Sequence, residues 1–80
     1  MNLQMIIGDL ISERAYQDQK HGGVSNDDRN TLSDWFRWVG EHEADASRDV
    51  GRGTRQELVA CAALFIAAIE AYDRNGGFPQ

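Results

Sequence analysis

Cysteine, proline and lysine are almost missing from this chain: eighty residues contain one of each. A single cysteine, Cys61, excludes an internal disulfide framework and a cysteine-based zinc site. It lies inside an apolar run, where a free cysteine acts as a small core residue, and no His or Asn stands at a telling spacing to make it a nucleophile. One lysine, Lys20, and seven scattered arginines face thirteen carboxylates, for a net charge of −5. That balance argues against binding to duplex nucleic acid, whose affinity comes mainly from lysine and arginine on phosphates. Long hydrophobic runs are lacking too, so no segment is expected to cross a membrane. The start "MNLQMIIGDL" has no positively charged head of the signal-peptide kind, and the expected location is the cytoplasm.

What is present points to one small helical domain spanning residues 1–80. A chain of this length buries only about 60% of its unfolded surface, so it often leans on a partner or on a second copy of itself. Leu3, Ile6, Ile7, Leu10 and Ile11 recur at helical spacing and predict a first helix over about 2–20. The stretch "HGGVSNDDRN" reads as a loop of glycines and turn formers. Thr31 as a cap with Asp34 three residues on opens a second helix over about 31–49. At 100° per residue, Leu32, Trp35, Phe36, Val39, Glu43 and Ala46 fall on its core side. Trp38, His42, Asp45 and Asp49 form a stripe beside them, with Glu41 nearly opposite the core face. In "VGRGT", Gly51 and Gly53 are available for left-handed turns. "TRQE" then offers a second capping box, Thr54 with Glu57, opening a third helix over about 54–74 that stops at "NGG".

The third helix is apolar on every side from Leu58 to Ile69, "LVACAALFIAAI", and must be covered all round. Two helices in so short a chain do not easily cover it. Ala60, Ala62, Ala63, Ala67 and Ala68 permit close approach of another helix. The expected architecture is therefore an all-α, three-helix chain that assembles through this helix as a homodimeric bundle.

Acid is concentrated between residues 27 and 49. Asp27, Asp28, Asp34, Glu41, Glu43, Asp45 and Asp49 face only Arg29, Arg37 and Arg48, which leaves −4 of the total −5 there. A magnesium site needs hard oxygen ligands converging from two or more elements, and His42, Asp45 and Asp49 share a helix face, with Glu57 opening the next helix. Each has a plainer reading. Glu57 is explained by its capping box, and His42 beside Trp38 by a boundary hydrogen bond. Glu70 and Asp73 near the last helix end are explained by solvent exposure. Glu43, directed into the apolar face, needs an arginine, a metal or a partner to make burial tolerable. The aromatics of "WFRW" stand at core spacing and are not interleaved with basic residues, unlike a base-stacking platform. "HGGV" lacks the strand–loop–helix context of a phosphate cradle.

Taken together, "SERAYQDQKHGG" with the Asp-rich loop after it, "LSDWFRWVGEHEADA" and "RQELVACAALFIAAIEAYDR" resemble short phage and prophage proteins of the MazG-like group. These are similar to all-α nucleoside triphosphate pyrophosphohydrolases. The resemblance covers residues 12–74. It rests on Glu13-Arg14, Gln17-Asp18 and Lys20, on the helix led by Trp35, and on Glu57-Leu58-Val59 opening an alanine-rich helix. It implies a dimeric or tetrameric helical bundle in which two acidic motifs, Glu-Glu-x-x-Glu and Glu-x-x-Asp, hold magnesium and a triphosphate. Here the first motif falls on Glu41-His42-x-x-Asp45 and the second on Glu57-x-x-Ala60. Glu41 and Glu57 match, whereas His42, Asp45 and Ala60 depart. Losing a ligand to alanine removes an acceptor outright, and histidine suits a hard cation poorly.

The expected function is accordingly non-catalytic. A cofactor-free, phage-type protein would bind a host protein in a bacterial cell through its acidic face (Glu41, Asp45, Asp49, Asp27 and Asp28). An inhibitor of a bacterial defence complex, of the anti-CRISPR kind, would be one example. The alternative is a magnesium-dependent pyrophosphohydrolase, with Glu41, His42, Asp45 and Glu57 at the metal and Arg14 and Lys20 at the phosphates. A structural bundle protein without separate activity is the third possibility.

Overall fold

The computed structural model describes residues 2–79, and all regular structure among them is helical. Four helices follow one another: α1 (Leu3–His21), α2 (Gly23–Asp27), α3 (Leu32–Arg48) and α4 (Thr54–Asn75). The all-α expectation holds, and the count of three becomes four. The stretch read as a loop carries a five-residue helix, because Gly22 takes φ +92 to close α1 and the chain then coils once more. Asp28 donates its backbone N–H to the Val24 carbonyl at the end of that turn.

Helix ends follow local chemistry. The Asn2 side chain accepts from the backbone N–H groups of Gln4 and Met5 and starts α1. Thr31 and Asp34 form the expected reciprocal box at the start of α3. The second expected box does not form. Gly53 is the N-cap of α4, and the Asp49 carboxylate accepts from Thr54 N at 2.9 Å and Thr54 Oγ1 at 3.0 Å. Glu57 is thereby released from capping and turns inward.

α4 is the axis of the molecule, with α1, α2 and α3 all packed on it and α1 and α3 making no shared seam. The core lies between α3 and α4: Trp35 and Val39 against Leu64, Ala67, Ala68 and Ala71, with Trp38, Cys61 and Phe78 at its margin. Trp35 meets Trp38 edge to face at 5.8 Å between ring centres. Because α3 has a single neighbour, its buried stripe is narrow. It holds Trp35, Val39 and Ala46, while Leu32 and Phe36 are exposed. Glu43 shares that outer edge and is exposed, which corrects its expected inward direction and removes the need for a buried counter-charge.

The α1 face differs. Its fully buried residues are Glu13 and Gln17, and its apolar residues Leu3, Ile7 and Ile11 are exposed. On α4, Leu58, Phe65, Ile69 and Tyr72 likewise stand in solvent on the side that neither α1 nor α3 covers. The all-round apolar character of this helix is thus covered within one chain on about two sides.

Candidate binding site

Two buried carboxylates organise the polar interior. Glu13 on α1 is 4% exposed and Glu57 on α4 is 3% exposed. Each has been given an organic counter-ion. Arg52, from the turn between α3 and α4, donates Nη1 to Glu13 Oε1 and Nη2 to Glu13 Oε2, both at 2.9 Å. Gln17 Nε2 and Gln56 Nε2 complete the shell of Glu13 at 3.1 Å each. Burial raises the Glu13 pKa, but the Arg52 hydrogen bonds and charge, with the two glutamines, outweigh it and hold the carboxyl below its ordinary value. The same bonds raise the Arg52 guanidinium further above its ordinary value.

Glu57 meets His42 Nδ1 at 2.7 Å and Arg52 Nη2 at 3.9 Å. A carboxylate can only accept, which assigns the proton of that bond to His42 Nδ1. Gly51 seals the arrangement. A Cβ there would come within 2.8 Å of Glu57 Oε2 and 3.6 Å of Asp45 Oδ2, and its φ of +69 disfavours any side chain in addition.

The residues that the resemblance assigns to magnesium are thus neighbours without forming a metal cage. His42 and Glu57 bond one another directly, and Asp45 pairs with Arg48 at 3.0 Å. Glu41 is exposed and lines a cavity whose wall His42 shares. Among the described residues no three His, Cys, Asp or Glu side chains converge as metal ligands would. The donor set does not fit a hard dication. Ala60 is 0% exposed beside Gln17, whose Nε2 donates to the Ala60 carbonyl at 3.3 Å. Of the two residues assigned to phosphate, Arg14 is held by Glu70 and lies 4.0 Å from Asp18. Lys20 is exposed, with Nζ 5.8 Å from the Tyr16 ring centre.

The acidic segment divides in a similar way. Asp28 is committed to Arg74 and Asn75 of α4, which pins α2 in place and holds the Asp28 carboxyl below its ordinary value. Asp49 caps α4, and the Thr54 backbone and hydroxyl bonds lower its pKa. Among the described residues, Asp27 and Glu41 have no ion-pair or hydrogen-bond partner for their carboxylates. Burial, then the nearby Asp18, push the Asp27 carboxyl up to about 6.

Asp27 and Glu41 both line a cavity of about 470 Å³ between α1, α2, α3 and the core end of α4. α1 contributes Tyr16, Gln17 and Asp18 to its wall, α2 contributes Asp27, and α3 contributes Trp35, Trp38 and Glu41. Three buried polar atoms of lining residues have no hydrogen-bond partner among the described residues: Gln17 Oε1, Asn30 Nδ2 and Trp35 Nε1. A concave site that gathers aromatic side chains with unsatisfied polar groups is the ordinary form of a ligand site.

Cys61 is half-buried, and its Sγ lies 3.7 Å from the Val39 carbonyl. Burial first, then the negative charges of Glu43 and Glu57, push its thiol up. It behaves as the small core residue expected and not as a nucleophile.

Sequence reasoning did not find the Glu13–Arg52 pair or the cavity wall made by Gln17 and Asn30. One signal was available: Glu13 and Gln17 stand at i and i+4 on a helix and so share a face. Arg52 sits in a glycine-flanked turn, and no periodicity directs a turn residue toward a partner thirty-nine positions away. No family model, curated protein or solved structure matches the chain.

Proposed function

We propose that this protein is a non-catalytic, MazG-like helical protein that acts by binding a host protein through the acidic surface at the α1–α2–α3 face. The observation that carries this reading is the fate of the buried carboxylates. Glu57, which the resemblance assigns to magnesium, is bonded to His42, and the buried Glu13 is closed by Arg52. Phosphoryl chemistry relies on a cation that can offset charge on transferring oxygens, and an internally paired carboxylate no longer offers that. Among the carboxylates without partners, Asp27 and Glu41 line the cavity, where an external cation can reach them. An inhibitor of a bacterial defence complex is one role such a surface would serve.

Assembly through a second copy belongs to the same proposal. Leu58, Phe65 and Ile69 of α4, with Ile7 and Ile11 of α1, leave an exposed apolar surface of the kind that oligomers bury.

Two measurements test the reading. Incubation with magnesium or manganese and a panel of nucleoside triphosphates should release no pyrophosphate; turnover would favour the hydrolase instead. Charge reversal at Glu41 and Asp45, neither of which caps a helix, should abolish capture of a host partner, and capture that survives would remove the acidic surface from the contact.

A further inference from the structure

We infer that the cavity between α1, α2 and α3 is a receptor for a single basic side chain, a lysine or arginine presented by a bound protein. The inference rests on the protein-binding reading above and names the chemistry of its contact. Within the cavity the Glu13 and Arg52 charges cancel one another. Asp18, Asp27 and Glu41 then face Lys20, whose ammonium sits over the Tyr16 ring at the rim, and Arg14 at 4.0 Å from Asp18, with His21 and His42 also in the lining. The residual field is negative, and it acts where solvent is partly excluded, so it is screened less than the same charges on an open surface. Asp27 is half-buried beside Asp18, the charges of Arg14 and Arg74 only partly offset this, and its carboxyl holds its proton up to about 6.

Three further features select the occupant. The wall between the carboxylates is aromatic, with Trp35 and Trp38 held edge to face, and an indole is the strongest aromatic partner for a cation. Gln17 is 8% exposed and its Oε1 is an unpartnered acceptor, suited to an N–H donor. Asn30 Nδ2 and Trp35 Nε1 are unpartnered donors of the same lining, which call for an acceptor as well. A free polyamine has donors only, whereas a peptide-borne basic side chain brings amide carbonyls with it. The exposed position of Glu41 leaves an opening through which a side chain can enter while its backbone stays outside.

The test uses the intact chain and needs no identified partner. Nα-acetyl-lysine amide, Nα-acetyl-arginine amide, spermidine and a nucleoside triphosphate are titrated separately, and the indole N–H resonances of Trp35 and Trp38 are followed by NMR. A capped basic residue should give saturable shifts. Asp27→Asn and Glu41→Gln should each weaken it by about five- to tenfold, in keeping with loss of one partly screened charge near a cation. Asp73→Asn, outside the cavity, should leave it unchanged. Binding of spermidine without the capped residues overturns the inference, as does preference for the triphosphate, or affinity indifferent to Asp27 and Glu41. Unchanged resonances outside the cavity in both variants exclude misfolding as the cause. Failure here leaves the wider surface open to the charge-reversal test. Failure of that test, with capped residues still binding, leaves the cavity assignment standing.

Discussion

The two sides of α4 are held by different chemistry. Toward α3 the contact is apolar and interlocked, with Trp35 at 2% exposure and three alanines, Ala67, Ala68 and Ala71, letting the helices approach. Toward α1 the contact centres on a polar network of Glu13, Gln17, Gln56 and Arg52, with Val59 buried and Ile6 and Leu10 half-covered beside it. The apolar side supplies stability in proportion to area removed from water. On the polar side, desolvation and attraction nearly cancel, so it adds orientation more than energy. The comparison teaches where this molecule can afford function: the cavity opens on the weakly held, polar side, next to the rigid one.

Substitutions break this comparison unequally. Trp35→Ala removes the centre of the apolar side and should cost about 3–5 kcal/mol in urea unfolding, close to the whole stability of so small a domain. Arg52→Ala strands the Glu13 charge. The loss should be about 2–3 kcal/mol, below that of a fully buried pair because the Arg52 side chain is 38% exposed. That loss has a pH signature. Glu13 is held below its ordinary 4.5, so the pair contributes fully above that value and ceases to contribute as pH falls through the lower folded value. Wild type and Arg52→Ala should therefore converge in acid.

Smaller effects sharpen the contrast. Gly51→Ala combines a positive φ with a clash against Glu57, and about 1–2 kcal/mol should be lost. Asp27→Asn should go the other way. Its carboxyl sits near 6 in the folded chain against 3.8 in the unfolded one, so wild-type stability falls as pH rises across that window. The asparagine variant should be more stable than wild type at pH 7 and equal to it near pH 3, by thermal unfolding at each pH. Ile7→Gln, on the exposed face of α1, should change monomer stability by no more than about 0.5 kcal/mol. A larger loss that grows with protein concentration would show that a second copy covers this face.

Much of the fold was legible because helices announce themselves locally. The Thr31–Asp34 box, the glycines that stop α1 and α4, and the apolar period of α3 each depend on residues a few positions apart. The short α2 was not legible, since a five-residue helix has too few positions to show a period. The errors share one cause. A helical wheel directs Glu43 inward because it assumes a wide covered face, and α3 has one neighbour only. Glu57 was read as a cap because "TRQE" is a capping pattern, but Asp49 reached Thr54 first across the turn. Of the candidate metal ligands, His42 pairs with Glu57 and Asp45 with Arg48. That His42 would bond Glu57 directly was not visible from spacing.

The sequence by itself determined an all-helical chain, its main helix ends, a net negative charge gathered in residues 27–49, and an alanine-rich helix apolar on every side. Those follow from short-range hydrogen bonding, periodicity and composition. Only the tertiary structure decided which carboxylates are spent and which are free. Arg52 closes on Glu13 and His42 on Glu57, Arg74 holds Asp28, and Asp27 and Glu41 remain open to a cavity. The reason is physical: charge is a local property of a residue, but its compensation is settled by whichever opposite charge the packed chain brings within a few ångströms.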